Sequence, residues 1–170
     1  MRSILRRLAP ARWLTDGMTT LLTVLVVATV LATGLAGGVF AAFSTFVLPG
    51  LRRLAPADAA AAMVAINEDA VRPPFMTLFG AAVLVPAAAA VAGLVGGQDG
   101  AWLLVASAAV SLVGMLVVTA AANVPLNDRL AASPDAAGWA AYDRPWVRWN
   151  HVRTVCCAAS CLLAVLVLVP

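Results

Sequence analysis

The sequence predicts an all-α integral membrane protein, a four-helix bundle with an additional interfacial helix in its first long loop. Three observations predict it. Sixty-three per cent of the residues are apolar and only 11% are charged, whereas a soluble domain is roughly half apolar and a quarter charged. The apolar residues gather in four runs, each long enough to cross a hydrocarbon core about 30 Å thick, which takes roughly 20 residues. Charge is nearly absent from these runs, with Arg153 at the edge of the fourth as the exception. Backbone groups in lipid must be satisfied within their own segment, so the runs are helices.

The elements follow in chain order and form a single membrane domain over residues 1–170. The first run, about 18–47, is uncharged. At about 30 residues it is roughly 45 Å long, so it tilts or projects beyond the bilayer. The basic start resembles a secretory leader, but the run far exceeds the usual apolar region of about 7–15 residues and reads as a span. Arg2, Arg6, Arg7 and Arg12 argue for a cytoplasmic N-terminus, while seven arginines in and beside the two long loops argue the reverse. Of the two, the cytoplasmic N-terminus is the orientation adopted. Gly34 and Gly38 form a GxxxG pair, which reads as close helix packing.

The first long loop, 48–73, opens with Pro49-Gly50, which ends the span. Pro56 suits the first turn of a helix, and ADAAAAMVAINEDAV supplies helix formers after it. Met63, Ile66 and Val71 fall roughly on one face, with Asn67 and Glu68 beside it. This predicts an interfacial helix across the mouth of the bundle. The second and third spans, about 74–96 and 101–123, are joined by the tight turn GGQDG. The second long loop runs over 124–151 and the fourth span over about 152–169. With four spans, both long loops lie on one side of the membrane. Asn123 and Asn127, four apart, share a face if the helix continues past Pro125.

Composition and spacing exclude several functions. A net charge of +3, scattered along the chain, does not suggest nucleic acid. One histidine cannot build a His-rich zinc site or a haem pair. Cys156, Cys157 and Cys161 come closest to a ligand set, but their small neighbours suit packed membrane helices. No glycine loop cradles a phosphate. No span holds a carboxylate, which a proton-coupled transporter would need.

The stretch RWNHVRT, 148–154, carries the candidate chemistry. It places His151, Asn150 and Arg153 at the mouth of an apolar segment. Polar and ionisable groups at such an edge are costly and mark function. Trp139, Tyr142 and Trp146 precede it and Trp149 lies within it, and aromatics at this depth also suit an interfacial belt.

Four stretches together resemble the anthrone oxygenase-like integral membrane proteins: AGGVFAAFSTFVLPGLRRL, AMVAINEDAVRPPFM, NVPLNDRLA and W-x-x-Y-x-x-x-W-x-RWNHVRT. The resemblance covers nearly the whole chain from about Thr33 onward. It implies a four-helix membrane bundle and, as in members with an assigned role, oxidation of polyketide anthrones to anthraquinones by dioxygen with no identified organic cofactor or metal. The matching polar positions are Asn67, Asn123, Asn127, Arg129, Trp139, Trp149, Asn150, His151 and Arg153.

The chemistry suits these residue types. An anthrone is acidic opposite its ketone, and its anion can pass an electron directly to dioxygen. The protein need supply a base, donors for the oxyanion and a dry, flat pocket. His151 is the natural base near neutral pH. Arg153 and Asn150 are suitable oxyanion donors. Asn123, Asn127, Arg129 and Asn67 would contact the substrate, with Trp149, Trp139 and Phe75 as aromatic walls. The expected partners are the lipid bilayer, a lipophilic aromatic molecule and dioxygen, with a homo-oligomer as a further option. The cell membrane is the expected location. A non-enzymatic membrane protein, either a lipophilic small-molecule binder or an accessory subunit, is the alternative from the same residues.

Overall fold

The structure, a computed structural model, describes residues 2–169, with side chains described over 19–169. Arg2, Arg6, Arg7 and Arg12, on which the orientation argument rests, have side chains outside the described residues. Among the described residues there are seven α-helices: α1 (Arg2–Ala42), α2 (Leu48–Leu51), α3 (Pro56–Ala70), α4 (Phe75–Val95), α5 (Ala101–Leu112), α6 (Val124–Ala132) and α7 (Ala136–Leu166). Three π-helical turns link them, Phe43–Val47 between α1 and α2, and Val113–Val117 and Thr119–Asn123 between α5 and α6. No strand occurs among the described residues.

Among the described residues four stretches are long and apolar enough to cross a membrane: Thr19–Leu51, Phe75–Val95, Ala101–Ala132 and Ala136–Leu166. Their outward surface is apolar, with Leu35, Leu84, Val91 and Val155 all exposed. Such a surface is stable in hydrocarbon and not in water. This is an all-α membrane protein.

Two expectations about the chain between the last two spans are corrected. Residues 124–132 and 136–151 are helical, separated by a short break at 133–135, and the fourth helix begins at Ala136 rather than near 152. Asp135 is the reason, because its side chain accepts a hydrogen bond from the Gly138 amide at 2.8 Å and caps the new helix. Pro125 falls in the first turn of α6, where its missing N–H is tolerated, and the helix passes through it by way of the π turn. At 31 residues α7 is about 46 Å long, so its first half projects beyond a core of about 30 Å.

That projecting half supports a second core. Ala59, Ala60 and Met63 of α3 are buried with Leu48, Leu130, Trp139, Tyr142 and Trp146. Helix α3 thus closes one end of the bundle; Met63 is buried, while Val71, which the spacing places roughly on the same face, caps the helix and is 71% exposed.

Within the bundle, polar groups pair between helices. Ser107 Oγ donates to the Ser160 carbonyl at 2.8 Å, and Ser160 Oγ donates back to the Ser107 carbonyl at 3.0 Å. Pro86, buried inside α4, offers no N–H to the Ala82 carbonyl four residues earlier. Ser111 Oγ of the neighbouring helix donates to that same carbonyl. The defect made by one helix is repaired by another.

Close packing uses glycines other than the expected pair. A side chain at Gly34 or Gly38 would meet nothing within 4 Å. A Cβ at Gly37 would lie 2.9 Å from the Cys157 Cβ, and one at Gly114 only 2.4 Å from the Cys156 Cβ. The close approaches are therefore at Gly37 and Gly114, on the faces that meet α7.

Two stability measurements in detergent follow. Ser111→Ala is expected to cost about 1–3 kcal/mol by orphaning the Ala82 carbonyl. Adding Pro86→Ala restores an N–H there and should recover most of the loss, whereas additive losses would refute the repair. Gly114→Ala should cost about 1–3 kcal/mol by overpacking against Cys156. Gly34→Ala, with open space around it, should be neutral or gain up to about 1 kcal/mol of helix propensity.

Candidate functional site

Eight side chains of α7 are buried: Trp139, Tyr142, Trp146, Asn150, Arg153, Cys157, Ser160 and Ala164. Their spacing of three and four is the period of a helix with one inward face. Asn150 and Arg153 lie on that line, at the level where the bundle meets its helical cap.

Asn150 is fully buried and uses its whole amide. Its Nδ2 donates to the Phe40 carbonyl at 2.6 Å and to Ser44 Oγ at 2.7 Å. Its Oδ1 accepts from Arg153 Nη2 at 2.7 Å. One side chain thereby ties α1 and the π turn at Phe43–Val47 to α7 and orients the guanidinium.

Arg153 is 6% exposed. Its Cζ lies 4.3 Å from the Phe40 ring centroid and 5.3 Å from that of Trp146. Such cation–π contacts stabilise a desolvated guanidinium. Nη1 reaches Thr119 Oγ1 at 3.5 Å, and Nε has no partner. The ion pairs among the described residues join Arg52 to Asp143 and Arg72 to Asp69, so no carboxylate pairs with Arg153. A buried charge is normally paired.

The guanidinium opens into a cavity of about 570 Å³. Phe40, Phe75, Phe79 and Trp146 give it aromatic walls, and Asn67, Asn127 and Thr119 add polar atoms. Phe75 meets Phe40 edge to face, with centroids 6.4 Å apart. Asn127 Oδ1 accepts from Tyr142 Oη at 3.0 Å and from Trp146 Nε1 at 2.9 Å, which braces one wall. The Asn67 Nδ2 atom is buried without a partner. Exposed Val71 and Met76 stand at the rim.

The structure brings together Asn150, Arg153, Asn67, Asn127 and Phe75 of the sequence-derived set, and separates the others. His151 is exposed and does not line the cavity, because one residue's step along a helix turns it about 100° from Asn150. Trp149 is 45% exposed and Arg129 is exposed. Trp139 is buried in the capping core and does not reach the cavity. Asn123 is buried beside it, donating to the Trp146 carbonyl at 3.5 Å, with Oδ1 unpartnered. Phe40, Thr119, Phe79 and Trp146 were not singled out as site residues. Trp146 was findable from its spacing to Asn150 and Arg153; Phe40 and Thr119, inside uncharged runs, gave no local signal. Among the described residues no group of three or more His, Cys, Asp or Glu side chains is gathered as a metal ligand set.

Asn150→Ala removes a partner from Phe40, Ser44 and Arg153 at once. The expected loss of unfolding stability is about 2–4 kcal/mol, from several buried groups left unsatisfied. A loss below about 0.5 kcal/mol would mean the amide is not the clamp described.

Comparison with known proteins adds one finding. The family described as anthrone oxygenase matches residues 74–163, which include α4, Asn123, Asn127, Trp146, Asn150 and Arg153. No curated protein and no solved structure matches the chain. With more than half of its length matched, the chain belongs to the anthrone oxygenase family.

Proposed function

We propose that this protein is a membrane-bound, cofactor-independent oxygenase that oxidises an anthrone-like polycyclic phenol to a quinone with dioxygen. The supporting observation is Arg153, a buried cation with no carboxylate partner among the described residues, facing an aromatic-walled cavity. The family match adds weight to the class of substrate.

The reaction converts a ring methylene to a ketone. The methylene loses a proton, and the resulting arenolate passes one electron to dioxygen. The two radicals combine at that carbon to give a hydroperoxide, which loses water to leave the quinone. One oxygen atom ends in the product and the other in water. Arg153 favours the step by holding the arenolate oxygen. A fixed guanidinium in a dry site stabilises an anion far more than one in water does. Phe40, Phe75 and Trp146 accept the flat rings, and the rim at Val71 and Met76 admits a substrate dissolved in lipid. His151, outside the cavity, has no part in this scheme. The proton leaves through the cavity mouth, where Asp69, paired with Arg72 at 3.2 Å, is the lining carboxylate.

The test compares variants in membranes, with an enzyme-free membrane blank because anthrones also oxidise slowly unaided. Arg153→Met is expected to lower the initial rate of quinone formation by roughly 10²–10³-fold, as for loss of an oxyanion donor. Arg153→Lys keeps the charge but loses the planar fork and should be impaired too. His151→Ala should stay within about twofold of wild type, since only positioned acid–base groups contribute more. A wild-type rate in folded Arg153→Met would end this assignment. Binding of anthrone through Arg153 without oxygen uptake would favour the binder over the oxygenase.

A further inference from the structure

Helix α7 carries a second line of side chains, turned away from the cavity. Arg144, Arg148 and His151 are all exposed and spaced four and three residues apart. At about 100° per residue they fall in a stripe roughly 60° wide. The same line continues as Val155, Ala158 and Leu162, and Val155 and Leu162 are 65% and 59% exposed. None of the three polar groups has a hydrogen-bond or ion-pair partner among the described residues. The adjacent carboxylate, Asp143, is taken by a two-point contact with Arg52 at 2.8 and 2.9 Å.

One helix face therefore changes from basic to apolar without a break. The distance from His151 to Leu162 is about 16 Å along the axis. That is close to one leaflet, about half of a 30 Å core. A soluble anion would satisfy the basic half alone, and a neutral lipid chain the apolar half alone. An anion with an attached hydrocarbon chain satisfies both. We infer that this face holds an anionic phospholipid. Its phosphate lies between the planar forks of Arg144 and Arg148, which suit phosphate geometry. The His151 ring N–H donates to the same headgroup, and one acyl chain runs along Val155, Ala158 and Leu162. Selectivity over a zwitterionic lipid follows from the charge, because choline supplies its own cation to the phosphate. This site is separate from the cavity and does not depend on the reading of Arg153.

The experiment uses the full chain in detergent, with phosphatidylglycerol and phosphatidylcholine of the same acyl chains, and counts retained lipid by native mass spectrometry. Wild type should retain one phosphatidylglycerol in preference to phosphatidylcholine. Arg144→Gln with Arg148→Gln should weaken phosphatidylglycerol retention about thirtyfold, as loss of two interfacial arginines implies. Arg53→Gln, an exposed arginine of the first loop, should leave it unchanged. Millimolar inorganic phosphate should not displace the lipid. Equal retention of the two lipids, unchanged retention in the double variant, or displacement by phosphate alone would each overturn the proposal. Should the double variant not fold, Arg148→Gln alone is read in the same way, with an expected loss of about fivefold.

Discussion

The amide of Asn150 is the joint on which the candidate site depends. Three hydrogen bonds from one buried side chain fix α1 to α7 and hold Arg153 over Phe40 and Trp146. In hydrocarbon such bonds have no competition from water, and an unsatisfied amide is expensive. The clamp therefore does two jobs at once. It holds α1 and the π turn after it against α7, and it keeps a charge in an aromatic cradle where charge alone would not stay.

That charge is not matched by the rest of the protein. Elsewhere polar groups are paired with care: the Ser107–Ser160 exchange, Ser111 on the carbonyl freed by Pro86, Arg52 on Asp143. Around the cavity, by contrast, Arg153 Nε, Asn67 Nδ2 and Asn123 Oδ1 are left without partners. Where the buried polar groups of the described residues are paired except around one cavity, that cavity is expected to be used. The two unmatched donors that line it, Arg153 Nε and Asn67 Nδ2, are what an oxygen-bearing ligand would satisfy.

Much of the fold was legible because the membrane imposes simple lengths. Four apolar runs, the GGQDG turn and the α3 helix all follow from run length and proline position. The stretch before the fourth span was read as loop because its polar and aromatic residues break the apolar signal. Its buried line, Trp139, Tyr142 and Trp146, nevertheless has helical spacing, and Asp135 marks its start. The site was legible in part for a related reason. Asn150, His151 and Arg153 are neighbours in sequence, yet a helix sends the histidine to one side and the other two to another. Period along α7 would have separated them, whereas adjacency grouped them. Phe40 and Thr119 come from distant spans and enter only through packing.

The paired π turns at Val113–Val117 and Thr119–Asn123 bear on how this site can vary among related chains. A π turn bonds each carbonyl to the amide five residues on, one more than an α turn, so each behaves as a single inserted residue. Everything after such an insertion is rotated by about 100° relative to an unbroken helix. Deleting one residue in the first turn, Val113–Val117, would leave the span's length and hydropathy almost unchanged. It would nevertheless swing Thr119, Asn123 and Asn127 as a group away from Arg153 and the tryptophan wall. Two chains with the same apolar profile can therefore differ in whether they possess the cavity at all, and the difference is a gap of one position in an alignment.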